Sequence, residues 1–256
     1  MKRKLLFLAI IMQSTFLTFG QTKDIQYKDG VQVLSGISVK PAKPLKNNPG
    51  VLILPAWMGI DEHAKDSANK LAALGYNTFI ADIYGADQRP KNFNEAGQKA
   101  GYFKKNIKEY QTRIQLALDE LIKQGANPDD IVVIGYCFGG TGAIEAARTN
   151  MKVKGIVSFH GGLGRDETRT IETIIPKVLI QHGADDPYES KDEIEKFQNE
   201  MRTAKADWQM TYYANAVHSF TDKNAGNDNS KGAAYNEKAE KRSWEAMLTF
   251  LKEVLL

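Results

Sequence analysis

Val132-Val133-Ile134-Gly135-Tyr136-Cys137-Phe138-Gly139-Gly140-Thr141-Gly142 is the stretch on which the reading of this chain turns. A run of β-branched residues enters Gly-x-Cys-x-Gly, and a helix-favouring segment, Ala143-Ile144-Glu145-Ala146-Ala147-Arg148, leaves it. A strand that turns this sharply into a helix forms a nucleophile elbow, with one side chain held out at the tip. The glycines are needed because the turn brings backbones together and leaves no room for Cβ atoms. Cys137 is the only cysteine of the chain. A helix N-terminus behind its sulfur favours the thiolate, the nucleophilic form. Free cysteine also commonly fills cores, so the elbow by itself leaves both readings open.

Outward from the elbow the chain alternates between strands and helices. Residues 25–39 alternate in polarity around Lys28-Asp29-Gly30 and read as an antiparallel strand pair. Beyond a polar linker, Val51-Leu52-Ile53-Leu54 is a short continuous apolar strand of the buried kind. A helix is expected over residues 61–74, with Ala64, Ala68, Leu71 and Ala72 at helical spacing and Gly75 as its stop. Further strands are expected at 78–81, 155–159, 178–181 and 208–213, and helices at 106–123, 191–204 and 235–255. Residues 84–101 read as a polar surface excursion and 222–232 as a polar loop. This alternation predicts an α/β fold, a mostly parallel sheet with helices on both faces. Chemistry in such sheets collects at the carboxyl ends of strands, where Cys137 falls.

Residues 1–20 stand apart from this pattern. Lys2-Arg3-Lys4 precedes an apolar stretch too short to span a bilayer, and Thr18-Phe19-Gly20 offers small residues at a cleavage site. This reads as a secretory signal peptide, leaving one domain over 21–256 and a periplasmic or extracellular location. The leader also carries the charge asymmetry. The net charge of +3 comes from Lys2, Arg3 and Lys4, and the rest of the chain sets its 31 acidic residues against as many basic ones. Nothing in it recommends nucleic acid or an anionic membrane as a partner. A lone cysteine rules out an internal disulfide. No histidine pair has metal-ligand spacing, and the only glycine-rich turn is accounted for by the elbow, so no metal or cofactor is expected.

A thiol nucleophile needs a base, and the base needs an orienter. Of four histidines, His63 lies on a helix and reads as a surface residue. His160 follows a strand at the correct sheet edge but has no motif around it, and His182, before a glycine, suits backbone hydrogen bonding. His218, in Ala214-Asn215-Ala216-Val217-His218-Ser219-Phe220 after the last strand, is the best candidate base. Asp186 is the best acid, with Asp185 its rival, and either residue could simply cap the turn. Cys137, Asp186 and His218 then run in the chain order of the α/β-hydrolase triad.

Gly135-Tyr136-Cys137-Phe138-Gly139-Gly140, His182-Gly183-Ala184-Asp185-Asp186-Pro187 and Val217-His218-Ser219-Phe220 resemble the three catalytic motifs of the dienelactone hydrolase family. The similarity extends to Leu74-Gly75-Tyr76, Ala81-Asp82-Ile83-Tyr84-Gly85 and Arg242-Ser243-Trp244, and so to nearly all of 25–255. The resemblance implies an α/β-hydrolase fold, Cys137 as nucleophile, His218 as base and Asp186 as its orienter. It also implies an oxyanion hole built from the backbone N–H groups of Phe138 and Trp57. Two positions depart from the family pattern. Ala56 stands where the family has a glutamate that helps activate the thiol, and Asp222 where it has an arginine for the substrate carboxylate.

The expectation is therefore an exported hydrolase cleaving a small ester, lactone or thioester through an acyl-cysteine. The 222–232 loop would shape the mouth of its site, and residues 84–101 would cover it. The alternative suggested by Ala56 is a catalytically weak or inactive hydrolase-fold binding protein. A redox-sensing thiol is a third reading, without a resolving cysteine in the chain.

Overall fold

The computed structural model describes residues 21–256. The expected signal peptide, residues 1–20, lies outside them. The hairpin is β1 (Gln21–Asp29) and β2 (Gln32–Lys40), paired antiparallel. Gly30 turns it at φ +56°, a conformation that costs glycine little. Six strands follow: β3 (Gly50–Leu54), β4 (Asn77–Ile80), β5 (Ile131–Tyr136), β6 (Gly155–Phe159), β7 (Lys177–Gly183) and β8 (Trp208–Tyr213). All eight form one sheet in the order β1-β2-β4-β3-β5-β6-β7-β8, parallel from β4 through β8. This is the α/β architecture expected from the sequence.

Alternation along the central strands divides the core in two. Leu52, Leu54, Val133, Ile156 and Ile180 face one side with α3 (Ile107–Lys123), α4 (Phe138–Arg148) and α5 (Lys191–Thr203). Val51, Ile53, Val132, Ile134, Val157 and Leu179 face the other, under α1 (Glu62–Ala73) and α6 (Glu237–Leu255). Every residue of β3, β5 and β6 is buried. These strands therefore read as unbroken apolar runs rather than alternating ones. Burying each such aliphatic side chain contributes about 1.5–3 kcal/mol, so the register that hides both faces is strongly preferred.

One expectation fails. The excursion over 84–101 contains most of a helix, α2 (Phe93–Lys105). Asn92 caps it by accepting from the Glu95 N–H, and its buried face is only Ala96, Ala100 and Phe103. A stripe that narrow, among lysines, glutamine and two glycines, carries little periodic signal. The 222–232 segment is a loop as expected, tightened by two single 3₁₀ turns at Lys223–Ala225 and Asn229–Lys231. Among the described residues no helix is long and apolar enough to cross a membrane, and no cluster of His, Cys, Asp and Glu could hold a metal ion.

Candidate active site

Cys137 sits between β5 and α4 at φ +52°, ψ −115°. L-residues avoid this region at a cost of about 1–3 kcal/mol, so the surroundings must enforce it. They do so by contact. A Cβ on Gly135 would strike the Gly139 carbonyl, and one on Gly139 would strike the Leu54 carbonyl. The Cys137 N–H is held by the Phe159 carbonyl at 3.0 Å, and its own carbonyl accepts from the Thr141 N–H at 3.1 Å. Sequence therefore compels the elbow, and the elbow leaves the thiol half-buried at the sheet's carboxyl edge.

The structure brings Cys137, His218 and Asp186 together. His218 Nε2 lies 3.0 Å from Cys137 Sγ, and His218 Nδ1 donates to Asp186 Oδ2 at 2.9 Å. Asp186 is buried in the turn after β7, where its other carboxylate oxygen accepts from the Tyr188 N–H at 3.0 Å. Its rival Asp185 is exposed. His218 is held through its backbone, donating to the Gly232 carbonyl at 3.1 Å and accepting from the Ala234 N–H at 3.0 Å. Tyr188 packs edge-on against its ring.

Burial acts against charge on both reacting groups, and their partners overcome it. It would push the Cys137 thiol up, but the hydrogen bond and charge of His218, the Phe138 N–H and the charge of Lys104 bring it below its ordinary value. It would push His218 down, but hydrogen bonds to Asp186 and the sulfur carry it up to about 10. Both shifts favour the thiolate–imidazolium form of the pair over the neutral one. Ala56 has no ionisable group, and His218 contributes most among the groups that favour the thiolate.

The two residues whose N–H groups are implied for an oxyanion hole both touch Tyr84. Its ring stacks on Phe138 at 5.7 Å between centroids, and its hydroxyl donates to the Trp57 carbonyl at 2.8 Å. Tyr110 stacks on Phe138 from the other direction at 4.5 Å and donates to its carbonyl. Outside, Trp57 lies flat on Phe93 of α2 at 5.6 Å. The sequence assigns neither tyrosine a role in the site, because Tyr84 opens the segment that reads as a polar surface excursion and Tyr110 lies among polar residues of an expected helix.

His160 was also undervalued. It is buried, its Nδ1 accepts from the Cys137 N–H at 3.2 Å, and its Nε2 pairs with Thr221 Oγ1 at 2.8 Å. His182 is buried against Tyr212 and engages neither sulfur nor carboxylate. His63, expected at the surface, is half-buried with its ring edge-on to Tyr136 at 4.4 Å.

A cleft of about 630 Å³ opens beside the site, its wall including Lys104, Thr141, Gly162, Tyr188 and Glu189. Burial and the neighbouring acids Glu193 and Asp186 push the Glu189 carboxyl up to about 7, while the Leu163 N–H and Lys104 pull it down. The 222–232 loop does not line this cleft. Its residues Asp222, Lys223 and Asn224 face a separate cavity between α1 and α6, where Asp222 caps a 3₁₀ turn by accepting from the Asn224 N–H. The loop reaches the site only at its stem, where Gly232 and Ala233 bind His218.

Comparison with known proteins agrees with the fold and shows the family. Residues 34–255 match the Dienelactone hydrolase family. The solved structure named m3DLH superposes with a TM-score of 0.87 at 34% identity, over 92% of this chain and 99% of its own. A dienelactone hydrolase-like promiscuous phosphotriesterase from metagenomic libraries gives 0.84 at 35% identity, over 93% and 100%. A Yersinia pestis protein provisionally named a carboxymethylenebutenolidase is 24% identical, over 84% of this chain and 81% of its own.

Proposed function

The chain belongs to the dienelactone hydrolase family, and from that premise we propose that it hydrolyses a small ester, lactone or thioester through an acyl intermediate on Cys137. The observation that carries the reading is the unbroken contact from Asp186 Oδ2 through His218 to Cys137 Sγ, at 2.9 and 3.0 Å. In the first half-reaction the thiolate attacks the substrate carbonyl carbon. The oxyanion forms against the N–H groups of Phe138 and Trp57, one such fixed donor being worth roughly 3 kcal/mol. His218 then gives its Nε2 proton to the leaving oxygen or sulfur, and the carbonyl re-forms as the acyl-cysteine. In the second half-reaction His218 takes a proton from water, hydroxide attacks the acyl carbon, and the thiolate leaves. Asp186 stays ionised throughout and holds the imidazole in one orientation.

Exposure to a mixed library of esters and lactones should leave an acyl adduct on Cys137, visible by intact mass, that decays as product appears. Turnover without any adduct, and undiminished in Cys137→Ala, would sink the reading. Asp222, turned toward the second cavity, supplies no clamp for a substrate carboxylate, so a carboxylate-bearing lactone should hold no advantage over a neutral ester. Ala56 favours one second reading, a binding protein that acylates and then stalls. Stoichiometric adduct that never decays would identify it. Residues 1–20 support export, and the mass of secreted protein should then correspond to a chain beginning at Gln21.

A further inference from the structure

Two chain segments must meet for the thiol and the base to lie 3.0 Å apart, and both are conformationally expensive. Cys137 is strained at φ +52°, His160 sits at φ +39°, and Ser219, next to the base, is at φ +57°. None of the three is glycine, so each must be held in place by its neighbours. Besides the His218–Cys137 contact itself, the His160 side chain ties them together. His160 accepts the Cys137 N–H on Nδ1 at 3.2 Å, and its Nε2 meets the hydroxyl of Thr221, three residues beyond His218, at 2.8 Å. Its ring also packs edge-on against His218 and Phe220, at 5.3 and 5.1 Å between centroids.

We propose that His160 is a positioning residue, a neutral imidazole strut that sets the separation of Cys137 and His218 by joining the elbow to the loop that carries the base. The tautomer follows from the partners. A backbone amide can only donate, so Nδ1 is the bare nitrogen and Nε2 carries the proton that goes to Thr221 Oγ1. The surroundings keep the ring in this state. Burial, then the charge of His218, with His63 and His182 beyond, holds His160 well below the ordinary histidine range. A doubly protonated ring would lose its acceptor and face the His218 imidazolium. The fixed ring also gives the strained Cys137 amide a second acceptor besides the Phe159 carbonyl.

The strut rests on the thiol chemistry proposed above, yet it can be tested without turnover, through the thiolate's ultraviolet absorbance as pH is raised. His160→Phe keeps the ring packing and removes both hydrogen bonds. Its kcat should fall about 30-fold or more with KM changed less than about threefold, and its thiolate should titrate about one pH unit higher. His160→Asn returns an acceptor near the position of Nδ1 and should recover part of both losses. Thr221→Val cuts only the far link, and its kcat should fall about three- to tenfold. A folded His160→Phe with wild-type thiolate titration and kcat within about twofold of wild type would overturn the proposal. Should that variant fail to fold, unchanged titration and kcat in both His160→Asn and Thr221→Val would overturn it equally. If wild type turns over no ester while the titration still shifts in the variants, the hydrolase reading falls and the strut stands.

Discussion

Two places in this protein bury opposite charges side by side, and they are built to opposite ends. Arg148 donates to Glu145, to both carboxylate oxygens of Glu200 and to the carbonyls of Leu163 and Gly164, while Arg169 adds a bidentate contact to Glu145. All five N–H donors of Arg148 are engaged. Burial acts against the Arg148 charge, yet the contacts with Glu200 and Glu145 raise its pKa further, and Glu145 is correspondingly lowered. Cys137 and His218 share a single hydrogen bond, Cys137 is half-buried, and Cys137 and Ser219 next to the base sit on strained backbone. Saturated contacts make a buried ion cluster into a fixture, here one that pins residues 163–164 beside the cleft. An unsaturated pair held in register can pass its proton on.

The contrast is most sharply broken at the sulfur. Cys137→Ala should lower kcat by about 10⁴-fold or more while leaving urea unfolding close to wild type, because it removes chemistry and little packing. Asp186→Asn comes next, with an expected loss of about 10³-fold in kcat as the imidazole loses the carboxylate that orients it. In the other cluster, Arg148→Met leaves Glu145 with Arg169 but Glu200 with only a long contact from Arg165, and should cost about 3–5 kcal/mol in denaturant unfolding. If the two regions are independent, its thiolate titration stays where wild type has it.

The smallest effect is also the most diagnostic. His218 is raised from 6.5 to about 10, so its contribution to stability is present below 6.5 and lost as pH rises through about 10. Cys137 is lowered from 9.0, so its contribution is present above 9.0 and lost as pH falls through its folded value. Above both 6.5 and the folded Cys137 value, and up to 9.0, the two slopes oppose each other, since an ion pair holds as many protons as a neutral pair. Unfolding free energy should thus show no slope from this pair in that window, even as thiolate absorbance reports the charge. In His218→Asn only burial, the Phe138 N–H and Lys104 would still act on the thiol, and its titration should move up to or beyond 9.0. A thiolate signal that stays in place in that variant would show that the base does not set the ionisation.

Much of this was legible in the chain. Gly135, Cys137 and Gly139 announce their geometry because steric exclusion is local, and the buried strands announce theirs because both faces must be apolar. The positions of Asp186 and His218 could be read from strand ends, which a parallel sheet gathers on one edge. Helix α2 was hidden by a buried face of only Ala96, Ala100 and Phe103. The 222–232 loop, expected at the mouth of the site, lies elsewhere for a different reason, visible at Asp222. Its place in the chain is four residues past the base, but the 3₁₀ turn it caps swings the carboxylate toward α1 and α6.

By itself the sequence determined the order of the strands and of every helix but α2, the elbow, and Cys137 and His218 as two of the residues that meet at it. Those features follow from periodicity, glycine sterics and residue type, which act over a few positions. Only the tertiary structure decided that His160 spans from the Cys137 amide to Thr221, that Tyr84 joins Trp57 to Phe138, and that Asp186 rather than Asp185 faces the base. Each depends on segments 20 to 80 residues apart in the chain, such as the 23 between Cys137 and His160 and the 61 between His160 and Thr221. Hydrogen bonds over such distances leave no periodic mark on the residues that make them.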